Sequence, residues 1–365
     1  MVRYKQEELC LIWLDSFLGL EYKHKLELFN KISGKSDIKA VLLSLKEYII
    51  NAIGENEFNT VINSANGEYF SGVIKRLNDK SVIAVTLKSE NYPEILKVIP
   101  HPPLVLYAKG NLNLLKEKSF AVVGSRKSLP LSIKLAENYS EELLRANFTL
   151  VTGIAEGVDC AVLKTAVEKK GKVISVIAGG FDNVYPKSNL DLLNKVVESG
   201  SLAISEYPPE TTPRPYHFPV RNRIIAALGV GALIVSGAKK SGTLYTAEYA
   251  EEYGKDLFAI PYSAGIESGA GCNDLIKRGA MLTDTPKDIL EFYGEYSEKP
   301  KIELTERERE VISALKDGEQ HIEKLSGALN LRAFELTPTL SILEIKGLVV
   351  KSGNVYGLTA NGMEE

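Results

Sequence analysis

The sequence has little of the chemistry on which metal sites, disulfide frameworks and membrane spans depend. Its 365 residues include three cysteines, Cys10, Cys160 and Cys272, and four histidines, His24, His101, His217 and His321. The cysteines are odd in number and far apart, which fits reduced thiols rather than a disulfide framework. No cysteine or histidine stands at metal-ligand spacing from another, so no metal site is expected. Leu9 to Leu20 is apolar but interrupted by Asp15 and too short to cross a bilayer, and the N-terminus carries no cleavable-signal pattern. These features point to a cytoplasmic protein with no membrane partner.

Phosphate-binding fingerprints are missing too. The dinucleotide spacing G-x-G-x-x-G does not follow Val123, and no Walker-type P-loop occurs anywhere, so neither NAD nor ATP is expected and no cofactor is assigned. A net charge of −3 and a pI near 6.0 exclude a protein that is basic all over. A nucleic-acid partner would have to be recognised by where the cations lie, not by their total. With 44% hydrophobic and 25% charged residues the chain is ordinary for a globular protein, and its length suggests two or three domains.

What is present is a repeated alternation of strand and helix. Phe120 to Val123 is a short apolar run ended by Gly124-Ser125-Arg126 and followed by a helical pattern from Leu131 to Leu144. Further strand-like runs are Thr149 to Thr152, Val173 to Ala178, Ser201 to Ser205, Ala232 to Ser236 and Leu257 to Ile260. Alternating elements predict an α/β, Rossmann-like, doubly wound and mostly parallel sheet, with ligands at the carboxyl ends of its strands. Those ends carry Gly124-Ser125-Arg126, Gly153 to Asp159, Gly179 to Asp182, Glu206, and Ser236-Gly237 leading to Ser241-Gly242-Thr243. The first turn reads either as an anion site, through Gly124, a helix N-terminus and Arg126, or as an ordinary turn of such a sheet.

Charge placement favours a polyanion. From Thr211 to Ala247 there is no acid, while Arg214, Arg221, Arg223, Lys239 and Lys240 are interleaved with Tyr216, His217, Phe218 and Tyr245. Cations along a backbone and planar side chains for bases suit a single-stranded nucleic acid. The plainer reading places some aromatics in the core and pairs the arginines with acids elsewhere.

The flanks differ in kind. Residues 1–75 show helical periodicity, a small helical domain of the SAM or helix-hairpin-helix sort, in which Leu18-Gly19-Leu20-Glu21 is a weak hairpin candidate. Residues 76–295 form the sheet domain. Its opening, Val82 to Gly110, alternates proline-ruled turns with one short strand and is expected to lie along the sheet rather than in its core. Residues 302–361 read as a winged-helix domain, with Thr305 and Glu308 as a capping box, three helices, and a hairpin turning at Ser352-Gly353-Asn354. Few cations lie on its third helix, so protein contact is favoured over major-groove reading.

The ordered motifs resemble the DNA-processing protein A family, also called Smf. They are Tyr92-Pro93 with Pro102-Pro103, Val123 to Arg126, Thr152 to Ala155 with Gly157-Val158-Asp159, Tyr185-Pro186-Lys187, Ser205-Glu206 and Phe218-Pro219-Val220-Arg221-Asn222-Arg223. Ser241-Gly242-Thr243 with Thr246, Gly271-Cys272-Asn273 and Gly279-Ala280 complete the set. The resemblance implies a homodimer that binds single-stranded DNA without sequence preference, protects it, loads RecA recombinase on it during natural transformation, and catalyses no reaction. Carried to matching positions, DNA contacts are expected from Gly124, Ser125, Arg126, Lys187, Arg221, Asn222, Arg223, Lys240, Ser241, Gly242 and Thr243. Departures from the family pattern are Leu163 in place of a histidine, Ser236-Gly237 in place of glutamate-alanine, and Pro261-Tyr262 without the following glycine. The alternative is a nucleotide hydrolase, since Ser241-Gly242-Thr243 with Glu248 is similar to a turn of the lysine-decarboxylase-like phosphoribohydrolases. A third reading makes the winged helix a duplex-DNA reader.

Overall fold

Nine short strands join one sheet in the computed structural model of the chain, which describes residues 3–17, 20–35, 37–296 and 304–359. They are β1 (Ile83–Thr86), β2 (Val105–Gly110), β3 (Ser119–Val123), β4 (Thr149–Thr152), β5 (Val173–Ile177), β6 (Leu202–Ser205), β7 (Gly231–Ile234), β8 (Asp256–Ala259) and β9 (Met281–Leu282). Their order is β1-β2-β6-β5-β4-β3-β7-β8-β9. Pairing is parallel from β6 through to β9, and antiparallel where β2 meets β6 and β1 meets β2.

Successive strands β3, β4, β5 and β6 step one way across the sheet, and β7, β8 and β9 step the other way from β3. The strand order therefore reverses between β3 and β7, the place where loops diverge and leave a crevice. Every residue of β3, β4, β5, β6 and β7 is buried, as expected of parallel strands covered on both faces. On one face Tyr139, Leu143, Val162 and Val196 of helices Pro130–Arg145, Val158–Glu168 and Leu190–Glu198 pack against Phe120 and Leu150. On the other, Ile224 and Ile225 of helix His217–Leu228, Ala247 of Leu244–Glu252 and Leu275 of Ala270–Lys277 pack against Val123, Val151 and Ile174.

The opening segment of the sheet region departs from expectation. It supplies two strands, β1 and β2, hydrogen-bonded to each other and to β6, and Val105 to Ala108 are buried. Its prolines fall in the connection between those strands, because a residue without an N–H cannot serve an interior ladder. The buried Tyr92 hydroxyl closes that connection by donating to Pro103 O at 2.7 Å.

The N-terminal helices share the apolar core of the first sheet face through Trp13, Leu28, Ile32 and Phe58. The Trp13 indole donates to Ser64 Oγ at 2.9 Å, and Tyr107 of β2 donates to Asp15 Oδ2 at 3.0 Å. Met1–Tyr296 accordingly forms one compact unit and Ser297–Glu365 another. Of the hairpin candidate, Leu18 and Gly19 lie outside the described residues.

The second unit contains helices Glu306–Leu315, Ile322–Ala328 and Ala333–Ile345 and strands β10 (Gln320–His321), β11 (Val349–Ser352) and β12 (Val355–Leu358), ordered β10-β12-β11. This is the element order of a winged helix. Thr305 Oγ accepts from the Glu308 N–H at 3.3 Å, and Glu308 Oε2 accepts from the Thr305 N–H at 2.7 Å, the expected capping box. The β11–β12 turn uses Gly353 at φ 64°. Residues 302, 303, 360 and 361 of the expected domain lie outside the described residues.

Candidate nucleic-acid interface

A cleft of about 980 Å³ opens at the carboxyl ends of β3 and β7, where the strand order reverses. Its lining includes Gly124, Ser125, Arg126, Arg221, Asn222, Lys240, Ser241, Gly242 and Thr243, and leaves out Lys187 and Arg223. The fold thus gathers three stretches of sequence around one opening: the turn after β3, the start of helix His217–Leu228, and the loop after β7.

The turn after β3 is held by its own polar groups. The Ser125 N–H donates to Ser236 Oγ at 3.2 Å, the Lys127 N–H to Ser125 Oγ at 3.1 Å, and Ser128 Oγ to Ser125 O at 2.6 Å. The Ser125 amide is therefore engaged inside the protein and does not point a free donor at a ligand. Ser236, where the family pattern has another residue, is the buried partner that fixes this turn. Gly157, at φ +80°, lets the neighbouring loop pass close by, since a Cβ there would strike Ser125 O.

Cations and aromatics meet at the rim. The exposed Arg126 lies over the Phe218 ring at 4.9 Å, and Tyr185, 55% exposed, meets Phe218 edge-on at 5.9 Å. These three side chains come from segments far apart in sequence and together offer a charged and planar surface. Exposed Lys127, Arg214 and Lys240 also line the cleft. Lys187 is exposed at the start of the short turn Lys187–Asn189, following Tyr185-Pro186.

Arg221 and Arg223, expected together at the ligand, are separated by helical geometry. Two residues along a helix turn through about 200°, so neighbours at this spacing face opposite ways. Arg221 points under the cleft, where its side chain bonds Val176 O and its Nε donates to Asn222 Oδ1 at 3.1 Å. Burial lowers its pKa to about 10, which leaves it charged at neutral pH. Its guanidinium and Asp159 approach over Gly153, whose missing side chain is what admits them: a Cβ would lie 2.6 Å from Arg221 Nη1 and strike Asp159 Oδ2. Burial raises the Asp159 pKa, opposed by Arg221 and by the Ala155 N–H, which donates to Oδ2 at 3.1 Å. This pair is a floor beneath the cleft. Arg223 faces away and forms a buried ion pair with Glu206.

Asn222 ties helix to loop by donating to Gly242 O at 3.1 Å. Tyr262 performs a similar service. Its hydroxyl donates to Val235 O at 2.8 Å and meets Ser132 Oγ at 2.9 Å. Leu163 is fully buried in the core of the first sheet face. Glu248 is exposed and is not part of the cleft lining.

Sequence reasoning missed the floor. Asp159 and Arg221 bear opposite charges and follow a glycine-rich turn and an acid-free run, but nothing in one dimension brings them together. It named Tyr185 only within the motif Tyr185-Pro186-Lys187 and assigned it no contact with DNA.

A second cleft, of about 900 Å³, lies between the N-terminal helices and the end of β6. Asp15, Lys25, Glu206, Tyr207, Glu210 and His217 line it, and Arg214 lines both clefts. Its acids are matched: Lys25 pairs with Asp15 at 3.1 Å, Lys80 with Glu210 at 2.5 Å, and Arg223 with Glu206, while Arg76 and Arg214 on the lining are in no ion pair among the described residues. Among the described residues, no cluster of histidine, cysteine and carboxylate side chains is placed to hold a metal ion, and no helix is long and apolar enough to cross a membrane.

Comparison with known proteins places this geometry among relatives. The family model described as DNA recombination-mediator protein A matches residues 83–294. The DNA processing protein DprA of Bacillus subtilis is 37% identical over 220 residues, covering 60% of this chain and 74% of that protein. The X-ray structure of DNA processing protein A from Streptococcus pneumoniae aligns with a TM-score of 0.55 at 33% identity, over 75% of this chain and 98% of that one. A Helicobacter pylori structure that describes the single-stranded DNA binding mode of DNA processing protein A aligns with a TM-score of 0.53 at 29% identity, over 59% of this chain and 97% of that one.

Proposed function

Because the chain belongs to the DNA recombination-mediator protein A family, we propose that it binds single-stranded DNA without sequence preference in the cleft between β3 and β7, protects it, and loads RecA recombinase on it in natural transformation and recombination. The observation that carries this reading is the rim: Arg126, Lys127, Arg214 and Lys240 line the opening beside Tyr185 and Phe218. Cations follow the phosphates of a strand, and aromatic faces receive bases of any identity, which gives affinity without sequence preference. The Helicobacter pylori relative named for single-stranded DNA binding supports the ligand.

In this reading Arg126, Lys240 and Lys187 contact phosphate, with Ser241-Gly242-Thr243 shaping the cradle. Asn222 and Arg221 set the position of the loop and the floor. Arg223 holds the helix from behind. The protein acts as a homodimer and has no catalytic step. RecA loading is tested by following recombinase assembly on oligonucleotides already coated with a single-strand-binding protein. Assembly should be faster with this chain than without it; an unchanged rate would remove the loading role while leaving DNA binding standing.

The hydrolase alternative needs a carboxylate facing the ligand. Glu248, its candidate, is exposed and outside the cleft lining, and Asp159 is engaged with the floor. Base release from nucleoside monophosphates would revive it.

A further inference from the structure

The second cleft of the first unit is walled by rings. Tyr22, Tyr69, Tyr207, Tyr216 and His217 all stand on its lining. The buried His217 stacks on Tyr207 with centroids 4.1 Å apart, and Tyr216, 58% exposed, stands perpendicular to His217 at 4.6 Å. An aromatic side chain left that exposed on a cleft wall is a platform for a planar ligand. On the same wall Thr211 is buried, and its Oγ1 has no hydrogen-bond partner among the described residues. A hydroxyl can donate or accept, so it suits the polar edge of any base.

One short segment separates this cleft from the first. Pro213 and Pro215 line the first cleft, Thr211 and Tyr216 the second, and Arg214 both. Arg214 is exposed and donates to the Tyr216 hydroxyl at 3.3 Å, so a cation shared by the clefts is joined to the exposed ring of the second. Arg76 is exposed on the second lining alone, and neither arginine belongs to an ion pair among the described residues. Inside, Asp15, Glu206 and Glu210 oppose a phosphate but not an uncharged base. We propose that a single strand seated in the first cleft crosses Arg214 and inserts a base into the second, against Tyr216, while Arg214 and Arg76 take the adjoining phosphates.

This path rests on the single-strand reading of the first cleft and extends it to a part of the molecule that reading leaves idle. Tyr22 belongs to helix Tyr22–Ile32, and Tyr69 and Arg76 to helix Gly67–Asp79. The N-terminal helices thereby supply one wall of a base-accepting site. Stacking on a ring and bonding to a hydroxyl select no particular base, so the extension adds affinity without adding sequence preference.

Photocross-linking of the full chain tests the path. A single-stranded oligonucleotide carrying bromodeoxyuridine is irradiated on the protein, and the labelled peptides are identified by mass spectrometry. Adducts should form on Tyr216 or Tyr207 as well as on Tyr185. Arg126→Ala combined with Lys240→Ala should reduce both sets, because the strand reaches the second cleft from the first. Tyr216→Leu keeps bulk but removes the ring, and should weaken binding about tenfold with the salt slope unchanged. Arg76→Ala should weaken it about threefold and lower that slope by about 0.7. An unchanged melting temperature checks the fold of each variant. Adducts confined to Tyr185, with Tyr216→Leu and Arg76→Ala binding as wild type, would overturn the path and leave the first cleft standing. Adducts on Tyr216 that survive the double variant, or that form equally with bromodeoxyuridine monophosphate alone, would overturn it in favour of a separate nucleotide site. Failure of the wild type to bind any single strand would remove the reading of the first cleft and the path with it.

Discussion

The two clefts of the first unit are nearly equal in size, about 980 and 900 Å³, but the first is lined by an excess of cations and the second by acids and cations in equal number. The second pairs each of its lining acids, Asp15 with Lys25, Glu210 with Lys80 and Glu206 with Arg223, while Arg76 and Arg214 on its lining are in no ion pair among the described residues. In the first, none of Arg126, Lys127, Arg214 or Lys240 belongs to an ion pair among the described residues. Volume therefore does not distinguish the two clefts; the excess of cations over acids does. A phosphate entering the second cleft meets Asp15, Glu206 and Glu210 beside its cations, whereas at the rim of the first it meets guanidinium and ammonium groups already facing water.

The sharpest way to break this contrast is to unpair the second cleft. Arg223→Ala strands the buried Glu206 carboxylate and should lower stability by about 3 to 5 kcal/mol in denaturant unfolding, while the salt dependence of DNA binding stays as in wild type. A loss of binding without loss of stability would put Arg223 back at the ligand. Next in size, Arg126→Ala combined with Lys240→Ala should weaken binding to a single strand by about 2 kcal/mol, roughly thirtyfold, and reduce the slope of log affinity against log salt by about 1.4. The fold itself should melt as before. Phe218→Leu removes the ring under Arg126 and should cost about 1 kcal/mol in binding, measured by fluorescence anisotropy, with the salt slope intact.

The smallest effect lies in the second unit. Burial raises the Glu308 carboxyl, but its bonds from Lys346 at 2.7 Å and from Thr305 outweigh this and hold it below the usual range. The stabilisation is complete above the unfolded value near pH 4.3 and is lost as pH falls through the folded one, for a change of about 1 kcal/mol or less. Thermal melts of wild type and Glu308→Gln should converge in acid. DNA binding at neutral pH should not distinguish them.

Much of this contrast was legible in one dimension. The strands β3 to β8 fall within two residues of the runs read from the sequence, because buried parallel strands leave unbroken apolar stretches bounded by glycine. The turns at their ends were found for the same reason. Arg221 and Arg223 were not resolved, since counting cations along an acid-free run ignores the rotation of a helix that sends one under the cleft and the other away from it. Strand β1 was hidden by its place beside a proline-rich connection, where turn signals outweigh a short apolar run. Ser125 was expected to contact DNA, but its amide is taken up by Ser236, which lies at the end of β7 and which no local pattern announces as its partner.

The most direct test of the central claim is a titration of the full chain with fluorescent oligonucleotides, single-stranded against duplex, at two salt concentrations, for wild type and for Arg126→Ala with Lys240→Ala. The uncommitted cations of the first cleft predict tight, salt-sensitive preference for the single strand that the double variant weakens and makes less salt-dependent. Equal binding of both forms of DNA, or a double variant indistinguishable from wild type, would contradict the assignment of this cleft.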